Sequence, residues 1–245
     1  MSNSIQDISL INLSIAFIPT VFVLAILYKW QMSYGKAIYA MARMLIQLLI
    51  IGYLLVFIFN TESSWIVLGV LLIMVVASSW IALGVAKKYQ GKLFGFALLS
   101  IAVGGGFNLL VVTQAVLVLE PWYTPRYMIP LAGMIFANAM NTLSLAVERL
   151  DAELTNGVEY QRARTIAFQA AMIPVINSLF AVGLVSLPGM MTGQILSGVS
   201  PLVAVRYQIV VMCMIFSSAG IAAAMFLLLS KSSFTGKAKE TNDTT

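Results

Sequence analysis

Polar residues fall in narrow bands along this chain, and between the bands lie seven long apolar stretches. A helix crossing the hydrocarbon of a bilayer needs about 20 mostly apolar residues, each adding about 1.5 Å toward a core of about 30 Å. Residues 8–28, 37–59, 65–86, 93–119, 127–147, 166–187 and 202–230 meet that requirement. The pattern predicts an all-α polytopic membrane protein, a single transmembrane domain over residues 1–245 with a polar, disordered tail from about residue 232. The first stretch does not read as a secretory signal: residues 1–6 carry no basic side chain and the apolar run is too long. The widest polar band, residues 148–164, reads as a loop joining spans five and six.

Composition agrees with the pattern. Of the 245 residues 60% are apolar and 9% charged, with a mean hydropathy of +0.95. A soluble domain has about 25% charged residues, so a soluble enzyme, a disordered chain and a secreted disulfide scaffold are excluded. Histidine is absent and cysteine occurs once, at Cys213, which rules out an internal disulfide and a zinc site of the His/Cys type.

The charges orient the bundle. On an alternating path of seven spans, twelve of the fourteen Lys and Arg residues fall on one side, Lys29, Lys36, Lys87, Lys88, Lys92 and Arg149 among them. The other side holds Asp7, Glu62, Glu120, Arg126 and Arg206. The positive-inside rule then predicts an outer N-terminus and a cytoplasmic C-terminus. Basic residues spread in this way form no patch for nucleic acid.

Polar groups inside the spans are the candidate chemistry. Arg43 and Gln47 stand one turn apart in span two, either snorkelling to the interface or facing the interior. Span four carries Gly104, Gly105, Gly106 and Asn108, which suit a kink or a close helix crossing. In span five Met134, Asn138 and Asn141 share a face. Their amides need partners across helices or in a wet cavity. Span six holds Asn177 and runs into Pro188-Gly189-Met190-Met191-Thr192-Gly193. Proline and glycine there predict a non-helical segment over residues 186–194, either a gate beside a cavity or a plain hairpin. Met190 and Met191 either offer soft thioethers to a metal or serve as plain packing. Arg206 opens span seven beside Tyr207 and Gln208, with Glu120 the nearest acidic candidate in topology.

Other signals are missing from the sequence. It contains no G-x-x-x-x-G-K-[ST] loop, no lysine in the body of the last span and no acidic residue inside a span. A nucleotide site, a retinal Schiff base and a proton pump are thereby disfavoured, and the chain is expected to bind no cofactor and to be no enzyme.

Several of these motifs resemble the FetB-type family, permeases of bacterial iron-export ABC transporters, to which plant aluminium-tolerance membrane proteins are similar. The resemblance rests on Arg43-Met-Leu-Ile-Gln47 with Gly52-Tyr53, Ile129-Pro-Leu-Ala-Gly-Met134, Asn138-Ala-Met140 and Leu184-Val-Ser-Leu-Pro-Gly-Met-Met-Thr-Gly193. Tyr207-Gln208 after a Pro-x-x-Ala-x-Arg stretch fits as well. It covers most of the chain from about residue 37 to residue 226, with Ser-Leu-Pro-Gly-Met-Met the most specific part. Ala137 stands where the family usually has glycine, and the polar band after span five is shorter than the resemblance implies.

The resemblance implies a bacterial inner-membrane permease, working as a homodimer, that exports iron or a related metal. ATP would be hydrolysed by a separate cytoplasmic ATPase subunit docking near Glu148, Arg149, Glu159, Arg162 and Arg164. The pathway or gate would involve Arg43, Gln47, Met134, Asn138, Asn141, Asn177, Pro188, Gly189, Met190, Met191, Gly193 and Arg206. The shortened band leaves a second reading open, a non-transporting membrane sensor or assembly partner.

Overall fold

The structure, a computed structural model, describes residues 8–234, and they form helices joined by short turns. In chain order these are α1 (Leu10–Ile15), α2 (Ile18–Lys29), α3 (Tyr34–Phe59), α4 (Ser64–Ala82), α5 (Gln90–Leu110), α6 (Pro125–Thr155), α7 (Tyr160–Ala181), α8 (Gly189–Leu196) and α9 (Pro201–Leu229). Seven candidate spans result, by length and composition: Leu10–Lys29, Tyr34–Phe59, Ser64–Val85, Lys87–Val116, Pro125–Thr155, Tyr160–Ala181 and Pro201–Leu229. The first is interrupted by a turn at Ala16–Phe17. Asp7, Lys237 and Lys239, used in orienting the bundle, lie outside the described residues.

The chain divides into two compact units. One comprises residues up to Thr61 together with Leu196–Gly198. Its helices α2 and α3 pack on each other across the turn at Trp30–Ser33. No residue of α2 is buried, and α3 buries Ile58 alone. Helices apolar on every side and left uncovered suit a hydrocarbon solvent.

The other unit runs over 62–195 and from Val199 onward. At its centre stands α6, packed against α4, α5, α7 and α9. Alanines set the approach distances. Ala132, Ala139 and Ala146 repeat every second turn of α6, Ala163, Ala167 and Ala171 every turn of α7, and each is fully buried. Hydrocarbon attracts apolar side chains as well as protein does, so membrane helices associate through small residues that let backbones close on one another. The glycines of α5 carry this furthest. A Cβ on Gly104 would stand 3.0 Å from the Ala222 nitrogen of α9, and one on Gly105 would stand 2.7 Å from the Phe136 ring of α6. Close crossing is therefore their role.

Polar bonds tie the same seams. The Ser144 hydroxyl donates to the Ala82 carbonyl at 2.9 Å, and Tyr160 donates to the Leu227 carbonyl at 2.5 Å. Past Leu110 the fourth span widens into a π-helical turn over Val111–Val116, where Thr113 donates back to the Leu109 carbonyl at 2.8 Å.

Three sequence expectations change. The polar band at 148–164 is a helical hairpin, not a loop: α6 continues to Thr155, and only Asn156–Glu159 separate it from α7. With 31 residues α6 is about 46 Å long, longer than the hydrocarbon is thick, so its last turns need no apolar character. Arg149 and Glu153, paired at 2.5 Å one turn apart, stabilise that projecting end. The second change concerns 186–194: residues 186–188 are non-helical as expected, but a helix begins at Gly189. Proline just before a helix costs no intrahelical bond, because the first N–H groups have no partner anyway. The break falls earlier, at 182–188, where Gly183 has φ +82 and donates to the Ser186 carbonyl at 3.0 Å. Its amides are satisfied within the turn, Val185 and Ser186 both donating to the Ala181 carbonyl. Third, residues 232–234 are helical, not disordered, with Phe234 against the Tyr89 ring at 5.2 Å.

Candidate functional site

Openings in the larger unit differ in their walls. A groove of about 520 Å³ runs along the flank of α7 and α9. Phe168, Met172, Ile176, Phe216 and Ile221 line it, with Gln169 and Ser217 its polar members. Ser217 is already engaged, donating to Asn108 Oδ1 of α5.

The second opening, of about 290 Å³, lies among α6, α7, α8 and α9. Met134 and Asn138 reach it from α6, Ser178 from α7, and Ser186 and Pro188 from the turn. Gly189 and Met190 open α8 against it, and Gln208, Val211, Met212 and Ile215 close it from α9.

Each wall follows from local chemistry. Met134 and Asn138 are one turn apart, so they stack on one side of α6. The Asn138 amide donates to the Met134 carbonyl at 2.8 Å, which turns its oxygen into the free hydrogen-bonding end. Gln208 sits seven residues inside α9, about 10 Å from its start. Val211, Met212 and Ile215 follow at the spacings that keep to the same side of a helix.

Gln208 decides the character of the cavity. Its side chain is 5% exposed, and its Oε1 has no hydrogen-bond partner. Leaving a buried acceptor unpaired costs about 1–3 kcal/mol, which a site retains where a ligand supplies the missing interaction. Besides Gln208 the lining holds three thioethers, the Asn138 amide and two serines, with no charged group. Ser178 is partly engaged already, donating to the Pro174 carbonyl at 2.8 Å.

Of the residues singled out from sequence, Met134, Asn138, Pro188, Gly189 and Met190 come together here. The others lie elsewhere. Asn141 is exposed, although it shares the azimuth of Asn138. Asn177 is exposed beside Ser178, about 100° around α7 from it. Arg206 is exposed two positions before Gln208, on the far side of α9. Met191 and Gly193 belong to α8 but do not line the cavity. Arg43 and Gln47 lie in the other unit, on an exposed face of α3. At the hairpin Glu148, Arg149, Glu159 and Arg162 are exposed and Arg164 is half-buried.

Gln208, Ser178 and Met212 were not among the residues expected from sequence to form the site. Gln208 carried the same signal as Asn138, a lone amide in an apolar span, but the neighbouring Arg206 drew the inference instead.

Seven spans, a core of small residues and a polar-lined cavity between the last three define a multi-pass helical membrane protein. The chain belongs to the UPF0014 family, described as an uncharacterised protein family, whose pattern it matches over residues 10–235. It is 37% identical to a UPF0014 membrane protein of Synechocystis, over 77% of this chain and 80% of that one. It is 36% identical to the protein ALUMINUM SENSITIVE 3 of Arabidopsis thaliana, over 83% and 79%. Against the probable iron export permease protein FetB of Escherichia coli it is 32% identical, over 91% of each. No solved structure matches.

Proposed function

We propose that this chain is the transmembrane permease subunit of an ABC-type transporter in a bacterial inner membrane, exporting iron or a related metal ion. A separate cytoplasmic ATPase supplies the energy, and two copies of the chain form the transmembrane part. The observation that carries the reading is the orphaned Gln208 oxygen in a cavity walled by the last three spans. Likeness to a relative named as an iron export permease along nearly the whole chain adds the substrate class.

In this reading the cavity holds the cargo midway, and α8 is the moving part. That helix lies between two turns with left-handed glycines, Gly183 at φ +82 and Gly198 at φ +89, while its first residues form cavity wall. A segment hinged at both ends can open one side of the cavity without unpacking the bundle. The hairpin around Asn156–Glu159 is the docking element for the ATPase, offering Glu148, Arg149, Glu159, Arg162 and Arg164.

Co-purification with a candidate ABC ATPase subunit, then metal-stimulated ATP hydrolysis and metal efflux in proteoliposomes, tests the proposal. Stable binding without stimulation by any metal would overturn it in favour of the assembly partner. Orientation is read in the same preparation, in a Cys213→Ser background. Glu159→Cys should be shielded from an impermeant thiol reagent in intact cells and Glu62→Cys labelled; the reverse pattern would invert the bundle.

A further inference from the structure

The donor atoms around the cavity are chemically selective, and this selectivity narrows the cargo. Hard multivalent cations take carboxylate, carbonyl and water oxygens, whereas thioethers favour soft ions of the copper(I) kind. Three of the cavity's side chains are methionines, Met134, Met190 and Met212, drawn from three different helices. No Asp or Glu lines it, and the described residues contain no group of three or more His, Cys, Asp or Glu that could hold a metal.

Charge gives an independent reason. A cation entering a lining without counter-charge must be stabilised by dipoles alone, and that demand grows steeply with its charge. Amide oxygens and thioethers can meet it for one unit of charge. The Gln208 oxygen, buried and unpartnered, is a ready-made neutral donor, and Asn138 presents its oxygen from the facing helix. Methionines in a plain apolar core would have no use for that unpaired oxygen beside them.

We propose that the cavity is a binding site for a soft, singly charged metal cation, with Met134, Met190 and Met212 as thioether donors and Gln208 and Asn138 as amide-oxygen donors. The proposal rests on the cavity being the cargo site of the permease reading and specifies which ions it prefers. Discrimination against iron(II) and manganese(II) follows, since those ions gain little from thioether sulfur and would lack anionic oxygen here.

The test uses the full-length protein carrying Cys213→Ser, so that no thiol competes for the probe, in lipid nanodiscs, titrated calorimetrically with silver(I) in chloride-free buffer. Silver(I) is a redox-inert probe of soft sites. One saturable site per chain is expected, with iron(II) and manganese(II) failing to compete for it. Changing Met134, Met190 and Met212 together to leucine should weaken silver binding by about tenfold or more. Leucine at Met41, Met44 and Met225, outside the lining, should leave it within about twofold. Equal weakening in both triple variants, or none in either, would overturn the proposal.

Should the cavity variant fail to assemble, X-ray absorption at silver on the Cys213→Ser protein at one equivalent of silver decides. Sulfur neighbours support the site, and oxygen or nitrogen alone removes it. Iron efflux by the unaltered protein would also remove it while leaving the permease reading intact. Loss of ATPase coupling with silver binding unchanged would do the opposite.

Discussion

The Ser217 hydroxyl of α9 donates to the Asn108 side-chain oxygen of α5, while the Asn108 amide donates to the Gly104 carbonyl of its own helix at 2.7 Å. A buried asparagine is thus satisfied at both ends, once within its helix and once across the seam. That seam is also where the Gly104 backbone meets Ala222, so polar bond and close crossing reinforce each other.

The coupling across this seam should be measurable as a double-mutant cycle. Ser217→Ala and Asn108→Ala, alone and together, are expected to show a coupling of about 0.6 kcal/mol, the usual worth of an interhelical hydrogen bond in a membrane. Denaturation in mixed micelles reads it. Strict additivity would assign the stability of the seam to packing alone.

Within the glycine triplet the positions should separate. Gly104→Ala and Gly105→Ala force a methyl against the Ala222 backbone and against Ile135 and Phe136, at an expected cost of about 1–3 kcal/mol. Gly106→Ala meets nothing within 4 Å and should be neutral or stabilising by up to about 1 kcal/mol. Thermal unfolding of the three single variants in one detergent is sufficient to compare them.

Gln208→Leu should raise stability and lower activity together. Removing an unpaired buried oxygen relieves about 1 kcal/mol, while the cavity loses the donor that makes it polar. A variant with a higher melting temperature and greatly reduced transport is the expected result. A less stable protein with normal transport would mean the side chain serves packing.

The two ends of the 182–188 turn should respond differently to alanine. Gly183 holds φ +82, so Gly183→Ala imposes left-handed backbone strain of about 1–2 kcal/mol. Gly189 opens a helix with free space where a Cβ would stand, so Gly189→Ala should fold normally. Limited proteolysis near 182–188 should quicken for the first variant only.

These residues also mark how far sequence reasoning reached. The spans were legible because a bilayer imposes a minimum apolar length, and each of the seven stretches overlaps an observed helix. Helix ends were not, since hydropathy reports the thickness of the lipid and α6 outruns it as far as Thr155. Pro188 marks only the far end of the break, since proline is well tolerated just before a helix start, and the turn begins at Val182 with Gly183 at φ +82. Helical periodicity puts Asn138 and Asn141 on one face, yet Asn138 lines the cavity and Asn141 is exposed. It fixes the direction a side chain takes around an axis but not whether another helix stands opposite at that height.

From Pro125 to Thr155 α6 runs as one helix, longer than a bilayer's hydrocarbon is thick. Asn138, at the cavity, and Glu153, paired with Arg149 near the turn into α7, lie on one stiff rod about 22 Å apart. Nothing between them is jointed, because the helix's proline, Pro130, lies on the other side of Asn138. A sideways push on the projecting end is therefore a lever stroke, felt at the cavity wall as tilt, with no message to be relayed from residue to residue.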